Sequence, residues 1–82
     1  MNYRNLKVWS NAVDIYGITS TFPADETYGL TSQMRRAAVS VPNNIAEGEG
    51  RWWFRDRLRF LGDARGSLYE LDTDVEIAGR VG

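Results

Sequence analysis

A helical pattern that continues through a proline constrains the fold of this chain more than any other feature of its sequence. Residues 28–50 read YGLTSQMRRAAVSVPNNIAEGEG, and Met34 and Ile45 keep one apolar phase on the two sides of Pro42. A proline inside a helix loses one backbone hydrogen bond and crowds the carbonyl group four residues earlier, at a cost of about 3 kcal/mol. The pattern therefore predicts a kinked helix over residues 31–47 that packing must stabilise.

The limits of this helix are predicted from residues with positional preferences. Thr31 is a suitable N-cap, and Gly48 stands where a left-handed residue would end the helix. The alternative is a helix that stops at Val41 and restarts at Asn43, because the residue before a proline is biased away from helix. The unbroken apolar phase favours one continuous helix.

Apolar spacing predicts two further helices, over residues 5–20 and 53–78. The earlier one carries two neighbouring rows, namely Leu6, Trp9, Val13, Tyr16 and Val8, Ala12, Ile15, Thr19. The later one has a heptad seam of Leu61, Ala64, Leu68, Leu71, Val75 and Ala78. With no strand alternation in the sequence, we predict an all-α fold, in which residues 1–82 form one antiparallel up-and-down bundle of three helices.

The residue types that are absent limit the chemistry of the chain. It has 82 residues without cysteine or histidine, so it lacks disulfides, thiolate metal ligands and the commonest general base. We therefore expect no enzyme activity, no cofactor and no small-molecule substrate. A core this small is expected to be marginal alone, which makes oligomerisation the remaining source of stability.

Hydropathy and charge restrict the partners. No apolar run approaches the roughly 20 residues of a membrane span, and the start lacks the apolar segment of a secretory signal, so we expect a cytoplasmic protein without a membrane partner. The net charge is −1 and the isoelectric point about 5.3. A dedicated nucleic-acid-binding domain more often has an isoelectric point above about 9, so the balance argues mildly against that role.

Three strings, LKVWSNAVDIY, YGLTSQMRRAAVSVPNNIAEGEGR and RFLGDARGSLYELDTDVEIA, together resemble the small bacterial four-helix-bundle proteins known as 23S ribosomal RNA intervening-sequence proteins. The resemblance implies an up-and-down bundle that assembles as a ring-like homopentamer and has no established biochemical activity. It also implies a fourth helix after Gly82, beyond the last residue of this sequence. Similar accessory proteins of diversity-generating retroelements are basic and are thought to contact nucleic acid, unlike this acidic chain.

Residues 51–59, RWWFRDRLR, depart from the usual pattern of that family and form the sharpest functional candidate. Guanidinium groups pair with phosphates and aromatic faces stack on bases, so the composition suits single-stranded nucleic acid. The candidate contacts are Arg51, Trp52, Trp53, Arg55, Arg57 and Arg59. Structural charge pairing of the arginines and burial of the aromatic side chains in an oligomer contact are the alternative interpretations.

The family-like motif is interpreted as architecture. Its members are Arg35, Arg36, Pro42, Asn44, Glu47 and Gly48. In an antiparallel pair, both arginines would approach the acids at residues 72–76, and Glu47 and Glu49 would approach Arg51 and Arg55. Asn44 or Ser40 could bond the carbonyl group that Pro42 frees or reach a neighbouring helix, with a ligand groove as the alternative.

The sequence thus supports two functions. The first is an oligomeric structural or interaction module without catalysis. The second is an RNA- or DNA-binding accessory protein that uses residues 51–59.

Overall fold

The computed structural model describes residues 6–21 and 27–81, which form three helices and contain no strand. The helices are α1 (Lys7–Thr19), α2 (Ser32–Glu49) and α3 (Phe54–Val81), and a π-helical turn (Thr27–Thr31) leads into α2. The predicted all-α fold is confirmed, and the predicted helix bounds differ from the observed ones by one to three residues. The predicted starting residue 5 of the first helix lies outside the described residues.

The helix pairs are antiparallel, as predicted. Tyr16, near the end of α1, bonds Arg35 at the start of α2, whereas Trp9 lines the same groove as Ala46. Between α2 and α3, the hydroxyl groups of Ser40 and Ser67 lie 2.7 Å apart. The chain therefore runs up, down and up, and α3 extends along nearly the full 43 Å of the long axis.

One continuous helix crosses Pro42, so the helix did not break at Val41. The proline ring is buried, and it lines the groove between α1 and α2 together with Trp9 and Val13. Burial of this ring against α1 offsets part of the lost backbone hydrogen bond. The proline therefore belongs to the core.

Thr31 precedes the first residue of α2, as predicted, but neither predicted end residue has the predicted capping role. Thr31 makes no side-chain capping bond and has helical backbone angles, because the π-helical turn passes directly into α2. Gly48 lies inside the helix, which continues to Glu49 and is capped by Gly50 with φ −84°. A Cβ atom on Gly48 would lie 3.2 Å from the Cβ of Phe60, so the close approach of α3 is what requires glycine here.

The core lies on α2, which supplies most of its side chains. The buried apolar residues are Ala12, Met34, Ala37, Ala38, Val41, Ile45, Ala64 and Leu71. On α3 the buried face is rotated from the predicted heptad seam: Val75 is 41% exposed, whereas Asp74 is only 8% exposed. On α1 the row that contains Ala12 and Thr19 faces the core.

Asn44 and Ser40 connect the proline segment to α3. The Asn44 amide donates to the carbonyl oxygen and to the hydroxyl oxygen of Ser40, both at 2.9 Å, and not to the Ala38 carbonyl group that Pro42 frees. The Ser40 hydroxyl in turn pairs with Ser67. The segment therefore fixes the contact between the two helices.

A pair of glycine substitutions tests the close approach of α3. Gly62→Ala adds a methyl group that meets nothing within 4 Å, so it should stabilise α3 by up to about 1 kcal/mol. Gly48→Ala should lower the free energy of unfolding, because its methyl group also lies 3.4 Å from the Arg57 carbonyl oxygen and would push the helices apart. Urea denaturation measures both, and equal stabilisation by the two variants would contradict this packing.

Candidate functional site

The turn between α2 and α3 presents the predicted basic and aromatic residues at one end of the bundle. We call residues 51–59 the basic-aromatic tip. The Arg51 amide donates to the Gly48 carbonyl oxygen at 3.2 Å as α2 ends, and the Arg57 amide donates to the Trp53 carbonyl oxygen at 3.1 Å as α3 begins. This connection is short, so the side chains between the two bonds project outwards.

Three consecutive aromatic side chains of the tip are exposed to solvent. Trp52 is 86% exposed, Trp53 69% and Phe54 72%. Adjacent residues at a helix start point in different directions, and the core of this chain covers none of the three. Their rings are free to stack on a base or to enter a protein interface.

The arginines of the tip differ in how they are held. Arg51 pairs with Glu47 at 2.9 Å, as the charge pattern predicted, and Arg57 donates from Nε to the Arg51 carbonyl oxygen at 2.8 Å. Arg51 and Arg59 each place the guanidinium carbon 4.6 Å from the centre of the Phe60 ring. Within the described residues, only Arg55 of the four arginines of the tip has no side-chain partner, so the prediction that Glu47 or Glu49 pairs with it is wrong.

Arg35 and Arg36 of α2 point to different sides of the bundle. Arg35 donates to the Tyr16 hydroxyl at 3.2 Å and stacks on the Tyr16 ring, with 4.7 Å to its centre. The expectation that Arg35 approaches the acids of residues 72–76 is therefore wrong, because neighbouring residues on a helix point about 100° apart. Arg36 faces α3 instead.

A polar cleft lies between α2 and α3, with a volume of about 500 Å³. We call it the α2–α3 cleft. Its lining residues are Gln33, Arg36, Ala37, Ser40, Ser67, Glu70 and Asp74. Arg36 thus shares a cleft with two acids, but it forms no ion pair with either of them among the described residues.

Sequence analysis missed Asp74 as a buried acid. Burial raises the pKa of the Asp74 carboxyl group above its ordinary value of 3.8, and the charge of Glu70 one turn earlier raises it further. The spacing from Leu71 to Asp74 to Ala78 fits a helical face as well as the spacing through Val75 does. That alternative spacing was the only signal in the sequence.

An apolar groove separates α1 from α3 and has a volume of about 390 Å³. We call it the α1–α3 groove. Its apolar lining consists of Val8, Ala12 and Ile15 from α1 with Leu68, Leu71 and Val75 from α3. Lys7 and Asp72 also line it, one on each helix.

No group of three or more acidic side chains that could hold a metal ion occurs in the ranges 6–21 and 27–81. None of the three helices is both long and apolar enough to cross a membrane within this described part.

The fold defines a class, that of small antiparallel helical bundles. The family model of the 23S rRNA-intervening sequence protein matches residues 4–82, so the chain belongs to this family, as its motifs predicted. Comparison with curated proteins gives no match.

Asp74 makes the stability of the protein depend on pH in a defined direction. A folded-state pKa above 3.8 means that the wild-type protein loses stability as the pH rises from 3.8 through the raised pKa. Asp74→Asn escapes this loss, so its stability relative to the wild type should grow over that window. Urea denaturation at a series of pH values measures the difference, with Asp63→Asn at an exposed position of α3 as the control for net charge. A difference that shrinks or stays constant with rising pH would contradict the burial of a charge at Asp74.

Proposed function

We propose that this protein is a non-catalytic structural module that assembles with copies of itself. The observation that carries the proposal is the amount of apolar surface left open by three helices. Among the described residues, twelve large apolar side chains are exposed: Val13, Tyr16, Ile18, Val39, Trp52, Trp53, Phe54, Leu58, Leu61, Tyr69, Val75 and Ile77. So much exposed apolar surface on a small chain is typical of an interaction surface.

The α1–α3 groove is the surface on which a second copy packs in this proposal. Its apolar walls come from two helices, which suits an inserted helix of another chain. Lys7 on one wall and Asp72 on the other offer both signs of charge, and the same helices of a second copy carry the complementary pair. Burial of about 25 cal/mol per Å² of apolar area then supplies stability that a small core lacks.

The absence of catalysis in this proposal follows from how the polar side chains are used. The Ser40 hydroxyl bonds both Ser67 and Asn44 and so joins the helices, and the sequence has no histidine to activate either serine as a nucleophile. Arg51 and Arg57 are engaged within the turn. The ring of five copies that the family resemblance implies is one form of the proposed assembly.

Two neighbouring residues on α3 test the groove. Val75 and Ile77 are 41% and 44% exposed, but only Val75 lines the groove. Val75→Glu should reduce the mass in solution to the 9.3 kDa of one chain, because a charge cannot be buried there without a partner. Ile77→Glu is the matched control and should leave the assembly intact.

Light scattering coupled to gel filtration measures the mass of each variant. A wild-type protein that stays monomeric at all concentrations would overturn the proposal. An equal effect of both substitutions would move the interface away from the groove.

Single-stranded RNA binding by the basic-aromatic tip is the second candidate function. It is favoured by the three exposed aromatic rings beside Arg55, which has no partner in the described part of the chain. Aromatic stacking is worth about 1–3 kcal/mol per base and tolerates any sequence, and an arginine adds contact with the backbone phosphate. The net charge of −1 limits this function to a local patch.

Fluorescence titration with a short single-stranded RNA tests the tip. Arg55→Ala should weaken binding and reduce the slope of log affinity against log salt by about 0.7, which is the effect of one phosphate contact on a single strand. Arg80→Ala removes the same charge at the opposite end of α3 and should change neither value. Binding that is insensitive to salt would exclude the RNA function. If Trp52→Ala dissociates the oligomer but leaves the affinity for RNA unchanged, the tip belongs to the contact between copies.

A further inference from the structure

The α2–α3 cleft contains acidic groups that the surrounding protein does not neutralise. Glu70 and Asp74 lie one turn apart on α3, so their charges repel each other. The ion pairs within the described residues join Arg51 to Glu47 and Arg80 to Glu76, and neither lies in the cleft. The two carboxylates therefore repel each other, and neither forms an ion pair with a cationic side chain among the described residues.

Asp74 is the informative member of this pair. It is 8% exposed, yet no hydrogen bond or ion pair holds its carboxylate among the described residues. No unbonded side-chain oxygen is sealed from solvent in that part of the chain, so the Asp74 oxygens keep contact with solvent, and the residue lines the cleft. Burying a charged group without a partner lowers stability, so packing alone does not explain an acid at this position.

We propose that the α2–α3 cleft binds a monovalent organic cation, a ligand with one guanidinium or primary ammonium group, whose charge Asp74 and Glu70 hold. Such a group carries several N–H donors and needs acceptors around it. The cleft supplies two carboxylates, the hydroxyl group of Ser67 and the amide oxygen of Gln33. All of them come from α2 and α3, so the site is complete without α1.

The net charge of the cleft favours a ligand with a single positive charge. Two acids and Arg36 give the lining a formal charge of −1, which one cationic group balances. Ca²⁺ takes six to eight oxygen ligands, whereas this cleft offers two carboxylates, one hydroxyl group and one amide oxygen, together with the positive charge of Arg36. Polyamines would place a second positive charge near Arg36.

Binding should depend on pH through the acid that holds the ligand. Because the pKa of the Asp74 carboxyl group is raised, this group takes up its proton at a higher pH than an ordinary aspartate does, and a protonated acid attracts a cation weakly. Arg36 on α2 and Glu70 on α3 are the charged groups that face it. Affinity for the cation should therefore fall as the pH is lowered through that pKa.

The test uses methylguanidinium as the probe and methylurea as its neutral analogue. Nuclear magnetic resonance of the ¹⁵N-labelled chain at low salt should show saturable shifts at Arg36, Ser67, Glu70 and Asp74 with methylguanidinium only. A peptide with a single arginine between alanines forms the second arm. Tighter binding of the peptide assigns the site to an arginine side chain of another protein, and tighter binding of methylguanidinium assigns it to a free small molecule.

Asp74→Asn should weaken methylguanidinium binding at least about tenfold, the loss expected for one charge-assisted hydrogen bond. Asp63→Asn removes a charge from an exposed part of α3 outside the cleft and should leave the affinity unchanged. Circular dichroism verifies that both variants fold. Equal shifts with methylurea, unchanged binding by Asp74→Asn, tighter binding of Mg²⁺ or Ca²⁺, or no saturable shift at all would each overturn the proposal.

Discussion

The close contact between α2 and α3 is the constraint on which the rest of the structure depends. Gly48 has no side chain where Phe60 and the Arg57 carbonyl group approach, and two serines meet farther along the pair. Small residues at both points let the helix axes come together, and they fix one antiparallel register. Pro42 lies on the side of α2 that faces α1, so its missing hydrogen bond does not disturb this contact.

This register determines what the two ends of the α2–α3 pair present. At the Gly48 end the connection is so short that Trp52 and Trp53 cannot return to the core, and Arg57 closes the turn by binding the Arg51 carbonyl group. Beyond the serines at the other end, the facing residues are polar and the helices leave a cleft. The same geometry therefore produces an aromatic surface at one end and a pair of acids at the other.

The sequence predicts the helices well because their signals are local. Apolar spacing and glycines near the turns place each helix within a few residues of its observed bounds. Which face of each helix is buried is harder to predict. Val75 and Asp74 both fit the helical period, and only the position of α2 decides which of the two side chains is buried. Gly48 shows the same limit: a glycine near a helix end satisfies the local rule for a cap, whereas its actual role depends on Phe60, twelve residues away. The same holds for the site, whose exposed aromatic residues are evident in the sequence but whose cleft is not.

The three surfaces of the molecule are separate, and this separation decides how a substitution can be interpreted. The α1–α3 groove is apolar and includes α1, the α2–α3 cleft is polar and excludes it, and the basic-aromatic tip lies at the end where α2 turns into α3. No residue lines both the groove and the cleft. Effects of changes at separate sites add when the sites share no partners. Val75→Glu adds a charge beside Asp74 of the cleft, whereas residue 59, the nearest residue of the tip, lies 16 residues away on α3, about 24 Å by the helical rise. Binding at the tip can therefore be measured on an unassembled Val75→Glu chain, and its survival there would show that the tip works within one copy.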